Sequence, residues 1–230
     1  MVAWMSWSTG KDSTLALHVA REELGIEVVA LLTSMSTDHD RVSMHAVRRN
    51  LVHQQAEQLG LPLRLLELPS PCSNDEYEAR MAVLLAEARA EGVERMVFGD
   101  LFLEDIRAYR EASLDGTGIT PIFPLWKRDT SALAREMVAV GIRARVTCVD
   151  PRQLDPGFAG REYDGSFLDD LPSRVDPCGE RGEFHTFAFD GPGFAAPIKV
   201  IGGDVVERDG FVFADLLPGP TGCELSATEK

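Results

Sequence analysis

Paired cysteines are missing from this chain. Cys72, Cys148, Cys178 and Cys223 lie far apart, with no CxxC among them. That argues against a thiolate zinc site or a disulfide framework, and for free thiols in a reducing compartment. Basic residues are also in deficit: 23 Lys+Arg face 37 Asp+Glu, a net charge of −14. A nucleic-acid partner, whose phosphates require basic patches, is therefore not expected. No apolar run reaches transmembrane length. The apolar stretch Met1 to Trp7 is too short for a signal peptide. A cytoplasmic protein with no membrane partner is expected. Two nucleotide signatures are absent as well. No GxGxxG follows the first apolar stretch, and GxxxxGK[ST] fails because Asp12 follows Gly10-Lys11 and Met5 stands where the first glycine should be.

What is present is an alternation of apolar stretches and helical periods. The 230 residues are enough for one large domain, or one domain with a small appendage. Val2 to Trp7 reads as a buried strand, and Ser13 to Leu24 has helical spacing with Gly25 as its stop. Strands are then predicted at Ile26 to Leu32, Pro62 to Leu68 and Arg95 to Phe98. Helices are predicted at Val42 to Leu59 and Asn74 to Ala90. This βαβαβαβ order predicts an α/β fold with a parallel sheet covered on both faces. Beyond Asp115-Gly116 the texture shifts. Ile119 to Trp126 is extended, Thr130 to Val140 helical and Ile142 to Val149 a strand. Short strands are predicted at Phe184 to Asp190, Ile198 to Ile201 and Phe211 to Phe213, ahead of a frayed tail from Pro218. A boundary near residue 125 divides an ATP-binding unit, residues 1–125, from a smaller mixed α+β substrate-side unit, residues 126–230.

Ligands of a parallel sheet gather at the carboxyl ends of its strands. Three polar strings fall there: Ser8-Thr9-Gly10-Lys11-Asp12-Ser13, Thr33 to Ser36, and Gly99-Asp100. The first is an anion cradle. Ser8, Thr9 and Ser13 offer hydroxyls, Gly10 admits a close backbone approach, Lys11 adds charge, and the following helix points its free N–H groups at the anion. Asp12 would repel a phosphate unless a cation sits between them, which predicts Mg²⁺. On a helix after Gly99, Asp100, Glu104 and Arg107 share a face, and Arg110 lies three beyond Arg107. A third string, Asp176-Pro177-Cys178-Gly179-Glu180-Arg181-Gly182-Glu183-Phe184-His185-Thr186, packs carboxylates, a thiol and an imidazole into one loop. Metal binding by Glu183 and His185 lacks an obvious third ligand.

The cradle resembles the SGGxDS loop of the PP-loop, or N-type ATP pyrophosphatase, superfamily. Thr9 stands where that loop usually has Gly, and a β-branched residue restricts the backbone there. The three strings together, with Pro124-Leu125-Trp126 and Ser43-Met44-His45, resemble the diphthamide synthase (diphthine–ammonia ligase) family over roughly residues 1–190. The loop from Asp176 to Thr186 is the most specific match. The resemblance implies an adenine nucleotide alpha-hydrolase-like (HUP, Rossmann-like) fold. It implies ATP and Mg²⁺ as cofactors, with Ser8 to Ser13 on the phosphates and Thr33, Met35, His45, Phe98 and Gly99 around the adenosine. It further implies that a substrate carboxylate attacks the α-phosphate, that pyrophosphate leaves, and that ammonia displaces AMP to give an amide. Glu180, Glu183 and His185 would bind or deprotonate ammonium, with Asp100 and Glu104 in the acidic region. Arg107, Arg110, Cys178, Gly179 and Thr186 would meet the acceptor.

The acceptor divides by source. It is elongation-factor diphthine in an archaeon or eukaryote, and an unassigned small molecule or protein in a bacterium. The excess of arginine over lysine, with many alanines, reads as a GC-rich and bacterial composition. Two further readings stay open: another adenylating PP-loop reaction, and a nucleotide sensor without turnover. The oligomeric state also stays open, a homodimer included.

Overall fold

A computed structural model describes residues 1–42 and 45–220. The expected roles of Ser43 and Met44, and the tail from 221 with Cys223, lie outside the described residues.

The first half builds a parallel sheet. Strand β1 (Val2–Ser6) pairs with β2 (Glu27–Ser36) on one side and with β5 (Arg95–Val97) on the other. β4 (Leu63–Leu68) extends the sheet beyond β2, and β6 (Thr120–Ile122) extends it beyond β5. The parallel order is therefore β4-β2-β1-β5-β6. The short β3 (Arg41–Val42) runs antiparallel on the end of β2. Because the chain steps from β1 one way to β2 and later the other way to β5, the strand order reverses beside β1. That reversal opens a crevice at the carboxyl ends of β1 and β5.

Both faces of this sheet are buried, as its continuous apolar runs require. Side chains alternate along a strand, and β1 divides accordingly. Ala3, Met5 and Trp7 enter one core cluster, while Trp4 enters the other. Helices α1 (Lys11–Glu22) and α2 (Arg49–Leu59) cover the first face. α3 (Asn74–Ala90) and α4 (Glu104–Leu114) cover the second through Leu85, Ala88 and Leu114. α3 has the predicted bounds because Ser73 caps it, accepting from the Glu76 amide at 3.2 Å.

The second half is an antiparallel sheet in the order β8-β7-β10-β9, formed by β7 (Arg143–Val149), β8 (Phe184–Asp190), β9 (Val200–Arg208) and β10 (Phe211–Pro218). α5 (Thr130–Ala139) and the short α6 (Gly165–Asp170) flank it. The larger core cluster runs from α1 and β1 into β7 and β8 without a break.

Three expectations are corrected. α2 begins at Arg49 rather than Val42, because Val42 pairs in β3 and Arg48 is extended. β2 continues four residues past Leu32, so Thr33 to Ser36, expected beyond the strand's end, form ladder with β4. β9 and β10 are longer than predicted and form a hairpin through Asp209-Gly210, with φ of 53° and 79°. That two-residue Asp-Gly turn is a strong hairpin signal legible in the sequence.

Candidate functional site

A cavity of about 470 Å³ opens at the sheet's carboxyl edge, walled by the loop after β1, the residues after β5, α3, α4 and the 178–186 segment. Three of the predicted strings meet there across long sequence distances. The Lys11 amide donates to Thr186 Oγ1 at 3.2 Å, and Lys11 Nζ donates to the carbonyl of Cys178 and to Asp12. The Leu101 amide donates to Glu180 Oε1 at 2.8 Å.

The close fit of these strings depends on two glycines. A Cβ at Gly10 would lie 3.1 Å from the Thr186 carbonyl oxygen, and one at Gly99 would lie 3.1 Å from the Ser13 amide. Either would push a wall of the cavity away from the cradle.

Thr9 adopts φ 73°, in the left-handed region that glycine favours and a β-branched residue resists. Its carbonyl holds it there, accepting from the Ala188 amide at 2.9 Å and from Gln55 Nε2 at 2.9 Å. Gln55 also accepts from Trp7 Nε1 at 2.8 Å. This buried glutamine braces the phosphate loop and was not singled out from the sequence. Its signal was a polar residue on the apolar face of α2.

The electrostatics follow from burial. Burial opposes the charge on the Lys11 ammonium, but Asp12, through its charge and hydrogen bond, together with Cys178 and Glu180 outweighs that penalty and holds the pKa above its ordinary value. Burial raises the Asp100 carboxyl, opposed by Arg110 and reinforced by the charge of Asp12. Burial pushes Glu180 up to about 7 despite hydrogen bonds from the Leu101 and Phe102 amides. It drives His45 down to about 4 and His185 to about 3. Their rings lie 4.6 Å apart, both neutral at ordinary pH. The Cys178 thiol is pushed far up by burial and donates to the Thr130 carbonyl, which disfavours the thiolate form that a nucleophile needs.

Of the residues singled out in the sequence, Ser8, Lys11, Asp12, Ser13, His45, Phe98, Gly99, Asp100, Arg110, Cys178, Gly179, Glu180, His185 and Thr186 line the cavity. The others stand elsewhere among the described residues. Thr33 and Met35 are buried; Met35 belongs to the α1/α2 core, and Thr33 donates to the Trp7 carbonyl at 3.0 Å. Their neighbours Leu32 and Ser34 face the cavity instead, one residue out of step because strand side chains alternate. Glu104 is exposed and pairs with Lys127 at 2.7 Å. Arg107 lies over the Phe123 and Trp126 rings, at 4.9 and 4.8 Å, and bonds Glu111. Glu183 is buried, and its carboxylate accepts from the Asp176 amide at 3.0 Å and the Arg181 amide at 2.9 Å. It folds the loop that presents Glu180. Tyr77, Met81 and Tyr109 complete the wall; nothing in their helical setting marked them beforehand.

Among the described residues, no group of three or more His, Cys, Asp or Glu is arranged to hold a metal by itself. A phosphate-bound Mg²⁺ needs only one or two carboxylates, with waters and phosphates as its other ligands. Asp12 and Asp100 fit that role, being two cavity carboxylates that oppose each other's charge.

A parallel α/β sheet with the Ser8–Ser13 loop at the carboxyl end of its first strand, beside the strand-order reversal, is the arrangement of a Rossmann-like nucleotide-binding class. Two family models match, the diphthamide synthase N-terminal domain over residues 1–119 and the diphthamide synthase C-terminal domain over residues 129–212. The chain belongs to the diphthamide synthase family. It is similar to the diphthine–ammonia ligase of Homo sapiens, 27% identical over 203 residues, covering 86% of this chain and 76% of that one. It is 29% identical to the enzyme of Mus musculus, over 90% of this chain and 85% of that one. The Danio rerio enzyme is 28% identical, over 90% of this chain and 89% of its own length.

Proposed function

We propose that this chain is an ATP-dependent, AMP-forming ligase that adenylates a substrate carboxylate and transfers ammonia to it. The observation that carries this reading is the contact of Lys11 with Asp12 and the Cys178 carbonyl. It joins the phosphate cradle and the acidic loop as walls of one cavity.

ATP lies with its phosphates on Ser8, Gly10, Lys11 and Ser13, and its adenosine against Leu32, Ser34, Phe98 and Gly99. Lys11 and the first amides of α1 stabilise the charge that develops as pyrophosphate leaves. Asp12 with Asp100 would hold Mg²⁺, which would supply neutralisation of the phosphate charge. Arg110 orients the acceptor carboxylate. Glu180, titrating near neutrality, takes the proton that ammonium must lose before it attacks. The neutral His185, also on the cavity wall, can accept a hydrogen bond.

The similarity to diphthine–ammonia ligases supports elongation-factor diphthine as the acceptor. The arginine-rich composition favours a different acceptor of the same carboxylate class. We read residues 1–125 as the ATP unit and 126–230 as the substrate-side unit. We read the setting as cytoplasmic, without nucleic acid. Among the described residues, no helix is long and apolar enough to cross a membrane.

The test is incubation with ATP, Mg²⁺, ¹⁵N-ammonium and elongation factor carrying diphthine, followed by nucleotide chromatography and mass spectrometry. AMP, pyrophosphate and a labelled amide are expected. AMP without the amide would reassign the acceptor. Bound ATP that stays intact would make the protein a sensor and end the ligase reading.

A further inference from the structure

Asp215 lies in β10, beyond residue 212 where the C-terminal family model stops. It nevertheless reaches the ATP unit. Its carboxylate accepts from Arg41 Nη1 at 2.7 Å and from Arg48 Nε at 3.1 Å, with a further bond to Arg48 Nη2. Arg41 and Arg48 form an isolated bridge with each other and flank the segment that carries His45. Arg41 Nη1 also donates to the Ala46 carbonyl at 2.8 Å. The His45 ring in turn contacts the Thr186 carbonyl oxygen through Nδ1 at 3.2 Å and lies against His185. A Cβ on Gly10 would stand 3.4 Å from its Cε1.

The second sheet is shaped to present this carboxylate. The β9–β10 register slips at Asp215, since Ala214 pairs with Val205 and Leu216 with Gly202. Two residues of β9, Gly203 and Asp204, therefore oppose Asp215 alone, as in a β-bulge, a device that re-aims side chains. A Cβ on Gly203 would stand 3.2 Å from the Asp215 Cβ, so glycine there leaves Asp215 its place.

We propose that Asp215 is a positioning residue for the nucleotide site: it braces both ends of the His45 segment, so that the imidazole is held over the phosphate cradle and against His185. The pair of arginines alone would repel across the bridge; the carboxylate between them closes it. Asp215 belongs to the other sheet and lines neither the cradle nor the cavity. Its effect passes through His45.

The inference rests on the ATP-site reading for its purpose, so the experiment separates the two. Asp215→Ala is compared with the unaltered chain in two measurements. The first is an NMR titration of the His45 imidazole, assigned with His45→Asn. The second is ATP–Mg²⁺ affinity by calorimetry. Freed from its brace, His45 gains solvent, and its pKa should climb from about 4 toward the ordinary histidine value of about 6.5. ATP binding should weaken on the order of tenfold, as misplacement of a site group by a distant change would produce. Asp215→Glu should restore part of both. An unchanged His45 titration would overturn the brace, whether or not ATP binds. A shifted titration with unchanged ATP affinity would overturn its role in the nucleotide site. Failure of the unaltered chain to bind ATP would instead remove the function proposed above, while the titration still decides the brace. If Asp215→Ala does not fold, the isosteric Asp215→Asn is read in the same two ways.

Discussion

The ammonium of Lys11 rests against the carbonyl oxygen of Cys178, 167 positions along the chain. It thus bonds the phosphate loop to the acidic loop as well as to its own neighbour Asp12. Lys11→Met keeps the apolar stem but removes both bonds. AMP formation should fall on the order of 100-fold, the scale of losing one preorganised donor to developing charge. Nucleotide chromatography under saturating Mg²⁺ checks it. Excess chelator should likewise stop AMP formation in the unaltered chain; activity that persists would remove Asp12 and Asp100 from the metal role.

Glu180 gives the reaction its pH dependence. Its carboxyl is raised by burial to about 7, so below that pH it is protonated and cannot take a proton from ammonium. Amide formation should rise about tenfold per pH unit on the acid side and level off above neutrality. Glu180→Gln should remove this limb while ATP binding stays near normal. A profile that keeps its acid limb in the variant would assign the titration to another group.

Thr9 carries backbone strain that a glycine at this position would not. With φ 73° and a buried hydroxyl that has no hydrogen-bond partner among the described residues, Thr9→Gly should stabilise the fold by about 1 kcal/mol, the strain relieved exceeding the entropy glycine adds. Chemical denaturation measures it. A loss of stability instead would mean that packing of the buried Thr9 side chain outweighs the strain.

Glu183 holds the acidic loop through two backbone amides. Glu183→Ala should cost about 2 kcal/mol, because the buried Asp176 amide and the partly buried Arg181 amide both lose their acceptor. Glu183→Gln, which keeps one acceptor oxygen, should cost less and impair amide formation in proportion to its loss of stability. Full stability with abolished amide formation would return Glu183 to the chemistry itself.

The parallel core was legible because it is local. Apolar runs of strand length, helical periods closed by Gly60 and Gly92, and the Ser73 cap each act over a few residues. The predicted bounds of α3 and the observed ones coincide for that reason. The cradle was legible too, since a loop between β1 and α1 must carry its own donors. The Asp209-Gly210 hairpin was equally local and was overlooked.

Side and partner were not legible. Thr33 and Ser34 are adjacent polar residues on a strand buried on both faces, so composition cannot say which one looks into the cavity. Only the pairing of β2 with β1 and β4 turned Ser34 toward α3 and Thr33 toward Trp7. Glu180 and Glu183 have the same chemistry three positions apart. The sequence determined that a carboxylate-rich loop exists. Tertiary structure decided that Glu180 meets the cavity while Glu183 turns inward to backbone amides. The reason is physical: local propensity acts through neighbours in the chain, whereas a side chain's environment is set by whichever distant segment packs against it, as Asp215 and the His45 segment do across the two sheets.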